Sequence, residues 1–362
     1  MRILIAGGGT GGHLYPGIAV ARAFRKEFPD CSVLFVGTRE GLEAQILPEE
    51  GFPLETISIR GFIGKGLLEK GRVILQIPAA LMRSHGILRL FRPHVVIGVG
   101  GYASGPLVLM AVLLRIPTLI MEQNYLPGMT NRVLSFIVDR VAVSFEGTRD
   151  YFKRGNVRLT GNPVRPEIYS ARNRKTAADR PVLLVFGGSR GAHAVNRLMV
   201  EALPYLSAWE RELEVIHQTG VADFPMVKAA YEDAGIHATV SPYLTRIQEA
   251  YQVADLVIAR AGATTVAELA ACALPAILIP FPQAVKNHQL WNARALQSLG
   301  AAEVIPEKEA NGKTLSDRII TLVSNRELLR RMGEASRALA KPDAAAAIVE
   351  MSREIGSVEV GR

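Results

Sequence analysis

The sequence predicts an α/β protein made of two doubly wound domains, and three observations carry that expectation. Short apolar runs alternate with amphipathic stretches along the whole 362-residue chain, the pattern of β-α units and a parallel sheet. The scheme restarts at mid-chain, near Val182. Both halves also open alike, with Ile5-Ala-Gly-Gly-Gly-Thr-Gly-Gly-His13 and Val185-Phe-Gly-Gly-Ser-Arg-Gly-Ala-His193 each putting glycines between a strand and a helix. Two such domains are expected to face one another across a cleft.

The first-half strands are expected at Ile3–Ala6, Val33–Val36, Val95–Val99, Thr118–Met121 and Val138–Val143. A helix is expected over Pro16–Phe28, with the proline in the first turn, where its missing N–H costs little. Second-half strands are expected at Val182–Phe186, Val215–Gln218, Thr239–Ser241, Leu256–Ala259 and Ala276–Ile279. Gly161-Asn-Pro-Val-Arg-Pro166 and the polar stretch Ser170–Arg180 break regular structure. They set the expected domains at 1–162 and 163–341. Pro342–Glu354 reads as a last, Ala-rich amphipathic helix, and residues 342–362 can pack back on the first domain.

Composition narrows the function classes. Hydrophobic residues make up 49% and charged residues 21%, which excludes a disordered chain. Two distant cysteines, Cys31 and Cys272, point to a reducing compartment rather than a disulfide framework. The start, Met1-Arg-Ile-Leu-Ile-Ala6, reads as a first strand and not as a signal peptide. The most apolar stretch, Pro106–Met121, is interrupted by Arg115 and Pro117, and a span needs about 20 apolar residues. The net charge of +8 asks for an anionic partner. Its excess gathers between Ile59 and Arg92, where seven basic residues stand against Glu69 alone. A nucleic-acid partner is not expected, because aromatics are only 6% and no stacking motif occurs.

Gly7-Gly-Gly-Thr-Gly-Gly12 satisfies G-x-G-x-x-G, a loop whose amides can approach a diphosphate at a helix N-terminus. A dinucleotide fold would want an acid at the end of the second strand. Gly37-Thr-Arg39 stands there instead, with Glu40 arriving late. His13 in place of Lys-Ser or Lys-Thr excludes a Walker A loop. Gly98–Gly105 and Gly187-Gly-Ser-Arg-Gly191 form two further loops after strands. Glycine loops in both halves fit a donor and an acceptor that are both diphosphates. Ser189 and Arg190 read equally well as helix-cap and surface residues. In Arg260–Glu268, Thr264 and Thr265 can cap a helix and offer donors to phosphate. Spacing alone makes Glu268 a capping-box or dipole-favourable glutamate; the other reading is a ribose ligand.

Taken together, these segments resemble the MurG family of N-acetylglucosaminyltransferases over nearly the whole chain. The resemblance rests on Gly8–Pro16, Gly100–Pro106, Glu122-Gln-Asn124, Gly161–Arg165, Gly187–Gly191, Gly262–Glu268, Asn287-His-Gln289 and Trp291-Asn-Ala293. Met121 departs from it where many members carry histidine, and Gln283–Lys286 differs from some members in length and composition. The resemblance implies a GT-B architecture, with UDP-GlcNAc on the C-terminal domain and a polyprenyl-diphosphate-linked muramyl-pentapeptide on the N-terminal one. It implies that Ser189 and the backbone of Ala263, Thr264, Thr265 and Val266 meet the donor phosphates and sugar. Leu244 would pack at the uracil and Glu268 would bind the ribose, with Arg165, Asn124 and Gln289 completing the donor site. Thr10, Gly11 and Gly12 would belong to the loop over the reaction centre.

The reaction so implied is an inverting transfer to the acceptor's C4 hydroxyl in peptidoglycan synthesis, at the cytoplasmic face of the membrane. It needs a base for that hydroxyl and stabilisation of departing UDP. His13 is the first candidate base, since an unperturbed imidazole titrates near about 6.5; alternatively it only hydrogen-bonds phosphate or backbone. Glu122 is the rival. Helix N-termini and arginine would carry the UDP charge, so neither a metal nor a cofactor is invoked. A polyprenyl acceptor requires membrane contact, and the basic, aliphatic region 59–92 suits an anionic membrane surface; by itself that region reads as an ordinary amphipathic helix with its apolar face in the core. The competing class is the UDP-GlcNAc 2-epimerases, which share the two-domain plan and the donor but need no acceptor.

Overall fold

The computed structural model describes residues 1–39, 41–59, 67–153, 156–170, 180–209 and 212–356, without the side chains of 67–75. It divides into two compact units, residues 1–165 with 341–362, and residues 166–340. In the first, β1 (Arg2–Gly7), β2 (Ser32–Gly37), β3 (Leu54–Thr56), β4 (Val95–Gly100), β5 (Thr118–Glu122), β6 (Arg140–Val143) and β7 (Asn156–Leu159) pair in the order 3-2-1-4-5-6-7. All pairings are parallel. Its helices are α1 (Gly11–Glu27), α2 (Glu43–Glu49), α3 (Leu67–Phe91), α4 (Ser104–Leu113) and α5 (Met129–Leu134).

The second unit holds α6 (Pro166–Ser170), β8 (Val182–Phe186), α7 (His193–Ser207), β9 (Glu214–Gln218), α8 (Phe224–Asp233), β10 (Ala238–Ser241) and α9 (Ile247–Val253). It continues with β11 (Leu256–Ala259), α10 (Ala263–Cys272), β12 (Ala276–Leu278), α11 (His288–Gln297), β13 (Ala302–Val304), α12 (Gly312–Val323) and α13 (Arg326–Arg337). Its parallel sheet runs 10-9-8-11-12-13. Both sheets therefore reverse direction beside their first strand, between β1 and β4 and between β8 and β11. Such switch points are where open α/β sheets bind ligands.

The strand sequences explain the layers. Ile3 and Ile5 join one buried cluster and Leu4 and Ala6 the other, because successive side chains leave opposite faces of a strand. α1 and α2 cover the first face; α3, α4 and α5 cover the second. Right-handed crossovers on either side of the switch put α1 and α4 on opposite faces, which leaves the α1 face bare beyond β4. The last helix, α14 (Ala344–Gly356), fills it with buried Ile348, Val349, Met351 and Ile355. Arg158 fastens it to Glu350 at 3.5 Å and Glu354 at 3.0 Å.

Several boundaries differ from the sequence reading. α1 begins at Gly11, so Pro16 lies inside it rather than in its first turn; the helix starts where β1 ends, and the glycine loop becomes its N-terminus. β6 begins at Arg140, two residues after the expected Val138. Much of the basic segment 59–92 (Arg60 to Gly66 entirely, and the side chains of Leu67 to Leu75) lies outside the described residues, as does most of Ser170–Arg180.

Candidate active site

The first two glycine loops pack on each other at the β1–β4 switch. Gly8 N–H donates to Gly100 O at 3.3 Å, and a Cβ on Gly101 would come within 2.6 Å of Gly8 O. Gly100, at φ +94, leaves room for His13: a Cβ there would sit 2.7 Å from its Cδ2 and 2.9 Å from its Nε2. His13 is the third residue of α1, and its Nδ1 lies 3.3 Å from Thr10 Oγ1. Thr10 occupies the N-cap position, in extended conformation, without a side-chain cap bond. The amides of Gly11 and Gly12 therefore begin the helix, where intrahelical carbonyls are lacking. Thr10 is exposed, while Gly11, Gly12 and His13 are half-buried.

Beneath the loop lies a residue the sequence reading missed. Glu43, from the first turn of α2, is fully buried. Its Oε2 accepts from Gly9 N at 2.7 Å; its Oε1 accepts from Thr38 N at 2.7 Å and Thr38 Oγ1 at 2.9 Å. The strand-two acid of a dinucleotide fold is thus replaced by a carboxylate that holds the glycine loop itself.

The two candidate bases fare differently. Glu122, at the end of β5, is 3% exposed. Its Oε1 accepts from Asn124 N at 3.0 Å and more weakly from Asn124 Nδ2 at 3.4 Å. Its Oε2 accepts from Gly128 N at 3.0 Å and Asn131 Nδ2 at 2.9 Å. Burial raises its pKa, against the lowering effect of these bonds. A base must reach the proton it removes. Glu122 ties down the loop from Asn124 to Asn131. Asn124 is half-buried on that loop. Arg165 lies with its guanidinium 4.4 Å from the centre of the Tyr15 ring on α1, a cation–π contact that keeps the planar fork beside the helix start.

In the second unit the loops after β8 and β11 flank the other switch point. Gly191 N–H donates to Gly188 O at 2.8 Å, a tight turn that leaves Ser189 and Arg190 exposed. The N-cap of α7 is Ala192, so Ser189 is not a helix cap. α10 starts after Gly262, its N-cap at φ −63° and ψ 147°. Thr264 and Thr265 therefore do not cap it. They fall with Ala263 in its first turn, where backbone amides point outward. Glu268 lies beyond the third helical position a capping box needs. It is buried, and its Oε2 accepts from Tyr251 O–H at 3.0 Å. Gln289, near the start of α11, accepts from Phe281 N at 2.9 Å, which keeps its amide NH₂ available as a donor. Leu244 is half-buried in the loop after β10. That loop is held by Gly220 N–H donating to Pro242 O at 3.1 Å.

A buried polar network also went unread in the sequence. His217 contacts Tyr231 Oη at 3.0 Å and Asn196 Oδ1 at 3.1 Å. Asn196 Nδ2 donates to Thr219 O at 2.8 Å and Asp223 Oδ2 at 2.7 Å. Burial pushes His217 down to about 3, against the opposing pull of Asp223. The network fixes the chain after β9 against α7.

Two doubly wound units, each with a glycine loop and helix N-termini at its switch strands, define a GT-B enzyme: two Rossmann-like domains in one chain. Known proteins carry the assignment further. The glycosyltransferase family 28 N-terminal domain matches residues 3–143, and its C-terminal domain matches residues 182–348. A relative from Thermodesulfovibrio yellowstonii is 44% identical over 98% of this chain and 99% of its own length. It is named UDP-N-acetylglucosamine–N-acetylmuramyl-(pentapeptide) pyrophosphoryl-undecaprenol N-acetylglucosamine transferase. The crystal structure of Acinetobacter baumannii MurG superposes with a TM-score of 0.79 at 31% identity, covering 98% of this chain and 99% of that one. A UDP-GlcNAc 2-epimerase from Neisseria meningitidis reaches 0.68 at 13% identity, over 98% and 100% of the two chains. That is likeness of fold alone. The chain belongs to the MurG family of glycosyltransferases. Among the described residues, no helix is long and apolar enough to cross a membrane.

Proposed function

We propose that the protein transfers GlcNAc from UDP-GlcNAc to the C4 hydroxyl of a polyprenyl-diphosphate-linked muramyl-pentapeptide, with inversion. The first unit takes the acceptor and the second the donor. The observation that carries this reading is His13, held at the N-terminus of α1 where two glycine loops meet, beside a first turn suited to an anion. The acceptor oxygen attacks the anomeric carbon as its proton passes to the His13 imidazole, and the bond from that carbon to the UDP oxygen breaks. The negative charge left on UDP is met by the N-terminal turns of α7 and α10. Ser189 and the backbone of residues 263–266 hold phosphates and sugar, Leu244 the uracil and Glu268 the ribose. Asn124, Arg165 and Gln289 bind substrate, and Thr10, Gly11 and Gly12 shape the loop beside the reacting centre. His217 and Glu122 hold loops in place.

The first unit also supports peripheral attachment to an anionic membrane. α3, α4 and α5 cover one face of its sheet. On and just after them stand exposed Met82, Leu90, Leu113, Val133, Phe136 and Ile137. Arg89 and Arg115 are exposed on the same helices and the turn after α4. Apolar side chains flanked by arginine suit the headgroup region.

UDP release decides the reaction. Release is expected only when UDP-GlcNAc is supplied with a short-chain lipid-linked muramyl-peptide; conversion of UDP-GlcNAc alone would instead identify an epimerase. Flotation with vesicles of phosphatidylglycerol should carry the protein upward, less so with added salt. Binding that Phe136→Asp with Ile137→Asp leaves unchanged would remove this face from the account.

A further inference from the structure

We propose that Glu43 is a positioning residue for the reaction: its carboxylate is the resident anion of the first glycine loop and, through that loop, sets the place of His13. The inference rests on the reading of His13 as general base.

An amide nest of the kind Gly7–Gly12 forms attracts an anion. Here the anion is supplied by the chain. The Gly9 amide is already bonded to Glu43 Oε2 at 2.7 Å. A Cβ on Gly8 would lie 2.6 Å from that same oxygen, and one on Gly37 would lie 2.7 Å from Oε1. Three backbone segments (Gly8–Gly9, Gly37–Thr38 and Gly41) are thus wrapped around one fully buried carboxylate. A diphosphate at this spot would displace it, so the G-x-G-x-x-G spacing at 7–12 does not make a dinucleotide site. The anion-accepting amides are moved forward, to the start of α1.

The same geometry reaches His13 in three steps. Glu43 fixes Gly9; Gly9 precedes Thr10; and Thr10 O accepts from His13 N at 3.2 Å and Leu14 N at 3.1 Å, with Thr10 Oγ1 beside His13 Nδ1. All three donors to Glu43 want an acceptor, one on Oε2 and two on Oε1. A glutamine can satisfy only one side, because its NH₂ must face either the Gly9 or the Thr38 N–H. Glu43→Gln therefore keeps the volume and releases one arm of the loop.

The test uses full-length protein labelled with ¹³C-histidine, with the His13 signal assigned by its loss in His13→Gln. In Glu43→Gln the His13 resonance and its titration midpoint are expected to move while the six other histidines stay in place. The kcat is expected to fall on the order of 10²-fold, as loop misplacement near 1 Å does, with KM for UDP-GlcNAc changed less than about twofold, because uniform donor binding is untouched. A folded Glu43→Gln with an unmoved His13 signal and near-normal kcat would overturn the proposal. Should Glu43→Gln fail to fold, Thr38→Val keeps the carboxylate and removes one donor. A displaced His13 signal in that variant supports the proposal and an unmoved one overturns it. If the wild type transfers no sugar to the muramyl acceptor, the functional reading fails, while the histidine signal still decides what Glu43 holds.

Discussion

The contact between Gly100 and His13 gives the sharpest perturbation of the site. Gly100→Ala adds one methyl group, 2.7 Å from His13 Cδ2, where ordinary contact begins at 3.4 Å. The ring must retreat by ~0.7 Å, and displacements near 1 Å cost catalysis about 10²-fold. A fall in kcat of roughly 30- to 100-fold is expected. The positive φ adds strain of about 1–3 kcal/mol, which lowers the melting temperature of a unit this size by roughly 3–9 °C. Gly51→Ala is the control. Gly51, in the turn after α2, shares the positive φ, at +69, but an added Cβ meets nothing within 4 Å. Both variants should lose similar stability, and Gly100→Ala should lose far more turnover. The assay pairs steady-state UDP release, at saturating donor and acceptor, with thermal unfolding. Equal turnover in the two variants would refute the claim that Gly100 fixes the ring.

Three other expectations follow from the structure. Tyr251→Phe removes the hydroxyl bonded to Glu268; KM for UDP-GlcNAc should rise several-fold and stability fall by about 1 kcal/mol, read by kinetics and urea unfolding. His217 is depressed from 6.5 to about 3 in the folded state, so the unfolded chain binds its proton first on acidification. Its contribution is complete above 6.5 and is lost as pH falls towards 3. Between pH 6.5 and 5 this costs about 2 kcal/mol. His217→Gln should shrink the acid-induced drop, read by fluorescence of Trp209 and Trp291, which both lie in the second unit; an unchanged drop would assign the acid sensitivity elsewhere. Ile348→Ala on α14 empties a fully buried position and should destabilise the first unit by about 2–5 kcal/mol, measured by denaturant unfolding. A loss under 1 kcal/mol would mean the helix is not part of that core.

Strands buried on both faces were the easiest to read. β8 and β11 fall where the continuous runs Val182–Phe186 and Leu256–Ala259 put them. β3, β7 and β13 carry no such run: each is a short edge strand interrupted by polar residues, as in Leu54-Glu-Thr56 and Ala302-Glu-Val304. Local signals put the start of α1 at Pro16, because glycine is a poor helix former and proline suits a first turn; the packing of two loops overrides both and starts the helix at Gly11. Spacing assigned Glu268 to a capping box only while the first residue of α10 was unknown. Glu43 reaches Gly9, and Asn196 reaches His217, Thr219 and Asp223, across more than twenty residues of chain. No local period marks such pairs. The glycine loops themselves were legible, since strand, glycines and helix follow one another directly in the chain.

The position of α14 bears on how the polypeptide matures. The second unit is one uninterrupted stretch, so its core can close while synthesis continues. The first cannot, because Ile348 to Ile355 are made only after the whole of the second unit. Until then one face of its sheet stays open to water and to chaperones. The unit begun before the other is finished after it, and a nascent chain halted before Ala344 carries a completed second unit and an unfinished first one.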